Sequence, residues 1–401
     1  MRCLVGIDDT DSSRGACTTY LAYRIASDLA PGVKVLPYPR LVRLNPNIPF
    51  KTRGNAAVSL LLETDSPSEA FERICSKVRE LSDVEGGANS GVVFISDVGM
   101  ASLFLPVYRS ALTGVVSPHR VRRLLALHNV KSLELGNGMG LVGAASALAF
   151  DETFDHTFEL IAYRRPDSFG TPRSVDSASV RDMEVATWPH TFNSNDYQKR
   201  KVLIAPHGPD PVFLGIRGDS PQAVLRAYSL VSYDEDLQGH MIYLTNQHTD
   251  AHLETELDWK AFSSGWAEGQ VVSPSIGPGG HIYFSLRAGS KNFNCAVYEP
   301  TGDLRRIARL LVDGDAIRAH GGVRRPTTSH AKVLNVEKIE VISLTKEDGR
   351  RLVCGTYIAS PRANRHLTKP FARYGLEVPG EVCPEVTGWL RASVIEPPTP
   401  A

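Results

Sequence analysis

The chain has 401 residues, enough for about two to four domains at roughly 150 residues each. Its 42% hydrophobic and 22% charged residues are the composition of a soluble globular protein, and 44 Lys and Arg against 44 Asp and Glu exclude a uniformly polybasic nucleic-acid binder. The longest uncharged apolar run, 141–150, is too short for a membrane span, and residues 1–7 meet Asp8 and Asp9 too soon for a signal peptide, so a cytoplasmic protein is expected.

Residues 3–7 read as a short apolar strand running into Asp8-Asp9-Thr10-Asp11-Ser12-Ser13. A helix starts near Ala16, with Cys17, Leu21, Ile25 and Leu29 recurring every four residues on one face. Strands are expected at 33–43 and 55–63, joined by a loop holding Asn45-Pro46-Asn47 and Lys51-Thr52-Arg53-Gly54. Ser66 and Pro67 open a helix whose inner face is Phe71, Ile74, Val78 and Leu81. A Gly-rich turn at 86–91 leads into a strand at 92–95, Ser117-Pro118 starts another helix, and 138–143 opens an Ala-rich one. This alternation predicts an α/β domain over residues 1–155.

Strands at 158–163, 202–205, 212–216 and 241–245, with a helix at 221–230, predict a ferredoxin-like α+β domain over 156–265. Strands at 269–273, 281–286 and 292–298, a helix at 303–311, and strands at 316–321 and 333–341 give the order of an OB-fold β-barrel over 266–345. Residues 346–401 read as a basic C-terminal tail. The expected fold class is thus a multidomain α/β chain. Charge is uneven: residues 304–373 hold 15 Lys and Arg against 6 Asp and Glu, an excess that suits a polyanion. No segment implies an obligate protein partner.

Three acids at a strand end repel one another unless a cation or donors neutralise them. Asp8, Asp9 and Asp11 are therefore candidate ligands for magnesium shared with phosphate oxygens; an Asx-turn with a helix cap is the alternative, and it accounts for one or two of the acids. Thr18 and Thr19 fall in the first turn of the next helix, where free N–H groups favour an anion. Arg40, Arg43, Lys51 and Arg53 can oppose a triphosphate. Gly138-Met-Gly140-Leu-Val-Gly143 matches G-x-G-x-x-G, without the ribose-binding acid of a nicotinamide site; a phosphate turn and simple close packing both remain open. Polar insertions holding His207, Asp210, Arg217, His248, Asp250 and His252 either turn the chain or line a site.

Several ordered stretches resemble the archaeal-type tRNA wobble-cytidine agmatidine synthase family (2-agmatinylcytidine synthetase, TiaS family). They are Gly6-Ile-Asp-Asp-Thr-Asp-Ser12, Cys17-Thr-Thr-Tyr-Leu21, Arg40-Leu-Val-Arg-Leu-Asn-Pro46, Lys51-Thr-Arg-Gly-Asn55, Asp155 to Arg164, Gly208-Pro-Asp-Pro-Val212 and the block from Thr245 to Leu253. The resemblance covers roughly residues 1–340. It implies a kinase-like domain, a ferredoxin-like domain, an OB domain and a C-terminal zinc ribbon. It also implies an ATP-dependent reaction on the isoleucine tRNA with a CAU anticodon. There the 2-carbonyl oxygen of the wobble cytidine is activated and displaced by the amine of agmatine, leaving AMP and pyrophosphate. Asp8, Asp9 and Asp11 would hold magnesium and ATP, and Thr18 would be associated with phosphate transfer. From the residues themselves, Gly138 and Gly140 can form a turn near phosphate, Asp210 or Asp250 can bind the guanidinium of a dication, and Arg324 and Arg325 of the basic segment can meet tRNA. A related phosphotransferase or amine ligase on another RNA or nucleobase, and a non-catalytic OB-fold RNA-binding protein, are the alternatives.

The six cysteines, at 3, 17, 75, 295, 354 and 383, include no C-x-x-C pair, and a ribbon would have to be built from Cys354 and Cys383 alone. The ribbon is therefore expected to be missing. Metal analysis of the purified protein should find no stoichiometric zinc; one zinc per chain would contradict this.

Overall fold

Two sheets organise the chain, a ten-stranded one in the unit Met1–Ala251 and a five-stranded closed barrel in the unit that begins at His252. The computed structural model describes residues 1–28, 32–52, 54–196, 200–301, 303–328, 331–343, 345 and 388–391. The first unit opens with β1 (Arg2–Asp8), α1 (Thr18–Asp28), β2 (Val33–Val35), β3 (Arg40–Arg43) and β4 (Ala56–Thr64). It continues through α2 (Pro67–Leu81), β5 (Gly91–Ile95), α3 (Leu105–Thr113), α4 (Pro118–Leu127), β6 (Lys131–Glu134) and α5 (Gly140–Leu148). Then come β7 (Thr157–Arg164), α6 (Ser177–Thr187), β8 (Thr191–Phe192), β9 (Asn195–Asp196), β10 (Lys201–Val202), β11 (Val212–Gly218), α7 (Pro221–Leu230) and β12 (Leu237–Thr245).

β1 lies between β4 and β5, antiparallel to both, and is covered on both faces. Its side chains alternate accordingly. Cys3, Val5 and Ile7 join Leu21 and Ile25 of α1 and Phe71 and Ile74 of α2 in one core. Leu4 faces the other way, into a core with Phe104, Leu112, Leu125 and the Ala-rich α5. Space on that side is tight: a Cβ on Gly6 would overlap the Ala144 carbonyl, so α5 rests directly on the β1 backbone.

The expected strand at 33–43 is two strands, β2 and β3, both paired with β4. Pro37 and Pro39 lie between them and have no N–H to give to a ladder. α3 and β6 have no counterpart among the expected elements. β6 has no buried residue in its pattern, hence no apolar signal to read. β7, β11 and β12 form their own core with α6 and α7, through Leu160, Phe213, Ile216, Met183 and Val224. They also extend the first sheet, because β12 pairs parallel with β3, Leu244 beside Arg40 and Thr245 beside Leu41.

The second unit contains β13 (Ser264–Ile276), β14 (Ile282–Ala288), β15 (Lys291–Val297), α8 (Asp303–Ala308), β16 (Ala316–Arg324), β17 (Val333–Ser343) and β18 (Gly388–Arg391). The sheet runs β15-β14-β13-β16-β17 and closes through a parallel β15–β17 pairing, while β18 adds to β17. Val271, Phe284, Leu286, Val297, Ile317 and Ile339 fill its interior. Cys354 and Cys383, and nearly all of the expected 346–401 tail, lie outside the described residues. Among the described residues no helix is long and apolar enough to cross a membrane.

Gly6→Ala should lower the melting temperature, since inserting a methyl against fixed backbone costs about 1–3 kcal/mol or more. Gly114→Ala is the comparison, because a Cβ there meets only the Ser110 carbonyl at 3.6 Å. Equal melting of both variants would mean that α5 can move away from β1.

Candidate active site

The acid cluster sits where β1 stops. Asp8 is the last β1 residue and pairs with Gly91. Asp9 then turns the chain with φ of 55°, its carbonyl accepting from the Ser90 hydroxyl at 3.0 Å. Thr10 goes inward and is fully buried. The following loop is tied down from the far side by Asp83. That carboxylate accepts from the Ser12 hydroxyl, from Arg14 Nε at 3.1 Å and from the Gly86 N–H at 3.0 Å. Arg14, first among these partners, holds the Asp83 carboxyl down at about 2.

The three glycines of the G-x-G-x-x-G stretch each have a spatial reason. Gly138 has φ of 82°, a conformation that favours glycine. A Cβ on Gly140 would meet the Asp8 carbonyl at 2.9 Å, and one on Gly143 would overlap the Asp8 carboxylate. The motif thus lets α5 close over Asp8. This enclosure, followed by the charges of Asp9 and Asp11, pushes the Asp8 carboxyl well above the ordinary carboxylate range. Asp9 is pushed up as well, by burial and then by Asp11, against the opposing hydrogen bond from Asn89.

Two clefts meet here. The first is lined by Asp8, Asp9 and Asp11, by Lys51 and Asn55, by Gly143, and by apolar side chains such as Val116 and Val142. The second holds Cys17, Thr18, Thr19, Arg43, Glu159, Asp210 and Arg217. Asp11, Gly54 and Ala56 line both. In the second cleft the buried Glu159 lies 3.2 Å from Arg43 and 3.2 Å from Arg217. Asp210 accepts the Val212 N–H at 3.1 Å and faces Arg173 at 3.6 Å.

At the mouth of α1, Thr18 Oγ1 accepts from the Thr10 hydroxyl at 3.0 Å. Thr19 points the other way, its hydroxyl 3.1 Å from Cys17 Sγ and its carbonyl receiving the Tyr243 hydroxyl at 2.7 Å. Tyr243 is itself bonded to Tyr163 at 2.8 Å. Thr19 thereby ties the second cleft's lining, which it shares with Thr18, to the tyrosine pair on β7 and β12.

This geometry has counterparts. Residues 4–137 match the family model described as the TiaS TCKD domain, and residues 138–252 the TiaS FLD domain. An isoleucine-tRNA 2-agmatinylcytidine synthetase TiaS from Cenarchaeum symbiosum (strain A) is 42% identical, with 92% of each chain covered. The chain belongs to the TiaS family. Its fold is also similar to the crystal structure of a TiaS complex with isoleucine tRNA and ATP, with a TM-score of 0.81 at 32% identity. The crystal structure of a TiaS complex with isoleucine tRNA, AMPCPP and agmatine gives 0.80 at 32% identity. Each comparison covers 96% of this chain and 100% of the other.

Within this TiaS-family chain the expected site residues separate into groups. Asp8, Asp9, Asp11 and Lys51 share the first cleft, while Thr18, Arg43 and Asp210 line the second. Arg40 lines neither. It is three residues from Arg43 on the same strand and so on the opposite face, near Asp151 and Glu152, and burial pulls its guanidinium down. Gly138 and Gly140 act beneath the first cleft rather than in its lining. Asp250 is buried in a turn with φ of 63° and lines neither cleft. Arg53 lies outside the described residues. Arg324 covers the Tyr298 ring at 5.1 Å on the barrel, and Arg325 follows it at the strand end. Gly143, the third glycine of the G-x-G-x-x-G stretch, lines the first cleft, whereas the sequence alone singles out neither Glu159 nor Asn55 as a lining residue. Glu159 is visible in principle, since it shares strand parity with the inward Ile161 and Tyr163.

An acid whose folded pKa is raised costs stability once it ionises. Without nucleotide or divalent cation, stability should therefore fall as pH rises from about 4, the unfolded value, through the raised value of Asp8. Asp8→Asn should melt higher than the wild type at pH 8 in EDTA, with the difference closing toward pH 4. A variant that melts lower at every pH would show that Asp8 is not strained by its surroundings.

Proposed function

We propose that this chain is the ATP-dependent ligase that joins agmatine to the wobble cytidine of the CAU-anticodon isoleucine tRNA. The observation that carries this reading is the meeting of the two clefts at Asp11. The reaction needs a triphosphate, an activated carbonyl oxygen and an amine at adjacent points, and holding them so removes most of the entropic cost of bringing them together.

The first cleft suits the triphosphate. Among the described residues no three His, Cys, Asp or Glu side chains converge as a protein-only metal cage. Magnesium does not ask for one: it is usually held by one or two carboxylates together with phosphate oxygens. Asp8 and Asp9, pushed up by burial and then by neighbouring carboxylates, fit that role, with Asp8, Asp9 and Asp11 as the residues that would hold the ion. When bound, magnesium supplies the charge that opposes the triphosphate. Lys51 adds a cation at the rim, and the walls of Val116 and Val142 exclude water beside it.

Thr18 stands on the other side of Asp11 in the second cleft, and we assign its hydroxyl to the phosphoryl end of the reaction, where that cleft meets the first, and the remainder of the second cleft to the amine. Agmatine is a dication and the cleft offers carboxylates to it. Glu159 is faced by two guanidinium groups, Arg43 and Arg217, and Asp210 by one, Arg173 at 3.6 Å, so Asp210 is assigned as the guanidinium ligand, in preference to Asp250, which lines neither cleft. A new carbon–nitrogen bond forms at C2 as the activated oxygen leaves with its electron pair.

Residues 1–155 are assigned as a kinase-like domain, 156–265 as ferredoxin-like and 266–345 as an OB fold. The order of three strands, a helix and two strands in the closed barrel supports the last of these. Arg324, over the Tyr298 ring, and Arg325, next to it in the chain, are assigned to tRNA, as a basic surface with an aromatic ring suits unstacked bases. The 346–401 segment is assigned as a basic tail without a zinc ribbon, and the protein to the cytoplasm.

Purified protein with ATP, magnesium, agmatine and a CAU-anticodon tRNA transcript should yield a cytidine–agmatine adduct in nucleoside mass spectra, and omission of any one component should abolish it. Asp9→Ala should give no adduct while retaining tRNA affinity in filter binding. ATP turnover without adduct would point instead to a phosphotransferase or amine ligase with another acceptor.

A further inference from the structure

We propose that Thr10 is a positioning residue for the Thr18 hydroxyl, an assignment that rests on the reading of Thr18 as a group at the phosphoryl end of the reaction. Thr10 stands between Asp9 and Asp11 in sequence but not in environment. It is fully buried, whereas both neighbours keep partial exposure. Its hydroxyl donates to Thr18 Oγ1 at 3.0 Å, and its backbone N–H donates to the same oxygen at 3.5 Å. Two donors from one residue therefore converge on a single hydroxyl oxygen, 7% exposed as a residue, that lines the second cleft.

That arrangement has chemical content. A threonine hydroxyl rotates to suit its surroundings, but with donors occupying the acceptor side of Oγ1 its own proton must be directed away from Thr10. An oxygen that loses its proton, or that becomes esterified, still accepts hydrogen bonds, so the same two donors serve before and after. Donors already aimed at an oxygen where negative charge develops need no reorganisation to stabilise it. Thr10 lines neither cleft, and the side-chain hydrogen bond its hydroxyl donates goes to Thr18, so the hydroxyl's own contribution to turnover is made at Thr18.

The scaffold around this contact is fixed by other groups. The Thr10 carbonyl accepts the Asp83 N–H at 3.2 Å, and the first turn of α1 is held from the opposite side by Tyr243 on the Thr19 carbonyl. Removing the Thr10 hydroxyl leaves both ties in place.

The test is steady-state formation of the adduct by full-length Thr10→Val, Thr10→Ser and Thr18→Ala, with ATP as the varied substrate. Thr10→Val keeps the branched volume and loses the hydroxyl, and kcat should drop about 10²-fold, as expected when a reacting group is no longer held in place. KM for ATP should stay within about twofold, the split that separates positioning from ground-state binding, and Thr10→Ser should recover kcat to within about fivefold. Wild-type kcat in Thr10→Val, or a Thr10→Ser as impaired as Thr10→Val, overturns the role of Thr10. Wild-type kcat in Thr18→Ala overturns the reading of Thr18 and takes this proposal with it, and that variant alone tells the two failures apart.

Discussion

The backbone of α5 comes directly against the backbones of β1 and β5 at Gly6 and Gly91, and glycines on strands and helix set the spacing. Gly6 and Gly91 clear the strand side, Gly140 and Gly143 the helix side, and each of these sites would be overfilled by a methyl group. Because the helix comes so close, the carboxylate of Asp8 is roofed by it instead of by water. Asp9 and Asp11 follow within three residues on a loop that Asp83 pins from outside. A strand end that would otherwise relax by swinging its acids into solvent is held in an arrangement short of positive charge. The same packing that stabilises the core therefore raises the Asp8 carboxyl above the ordinary carboxylate range.

The sheet then separates two chemistries. β3 presents Val42 to the α5 side and Leu41 with Arg43 to the α1 side. The clefts on either side share Asp11, Gly54 and Ala56, where strands end and loops begin. Charge is arranged differently in each. The first has three acids and one lysine in its lining, whereas the second sets Arg43 and Arg217 on Glu159 and turns Asp210 toward Arg173. One carboxylate is matched by two guanidinium groups, beside another that faces one.

What can be read from the chain alone follows from local physics. The apolar run before Asp8, the four-residue spacing from Cys17 to Ile25, and the strands of the barrel all carry their own signal, and all correspond to elements of the structure. Elements without such a signal are not legible: β6 is largely polar, and the apolar stretch around Pro37 and Pro39 reads as continuous although it is broken there. The site is legible as a list of acids but not as a place. Arg40 and Arg43 group together by proximity in sequence, yet strand parity puts them on opposite faces. Glu159 and Arg217 enter the second cleft on β7 and β11, more than a hundred residues after Thr18, and no local pattern announces such a meeting.

The pairing of β3 with β12 joins segments separated by roughly 200 residues of chain. Until β12 has emerged from the ribosome, β3 is an edge strand with open hydrogen-bonding groups on one side, of the kind that recruits stray partners. The second cleft exists only after β7, β11 and β12 have docked, since Glu159, Asp210 and Arg217 arrive with them. Closing so long a loop is slow compared with forming the helices and hairpins inside it. In order of synthesis, every residue of the acid-lined cleft precedes the β7 and β11 residues that complete the one beside it.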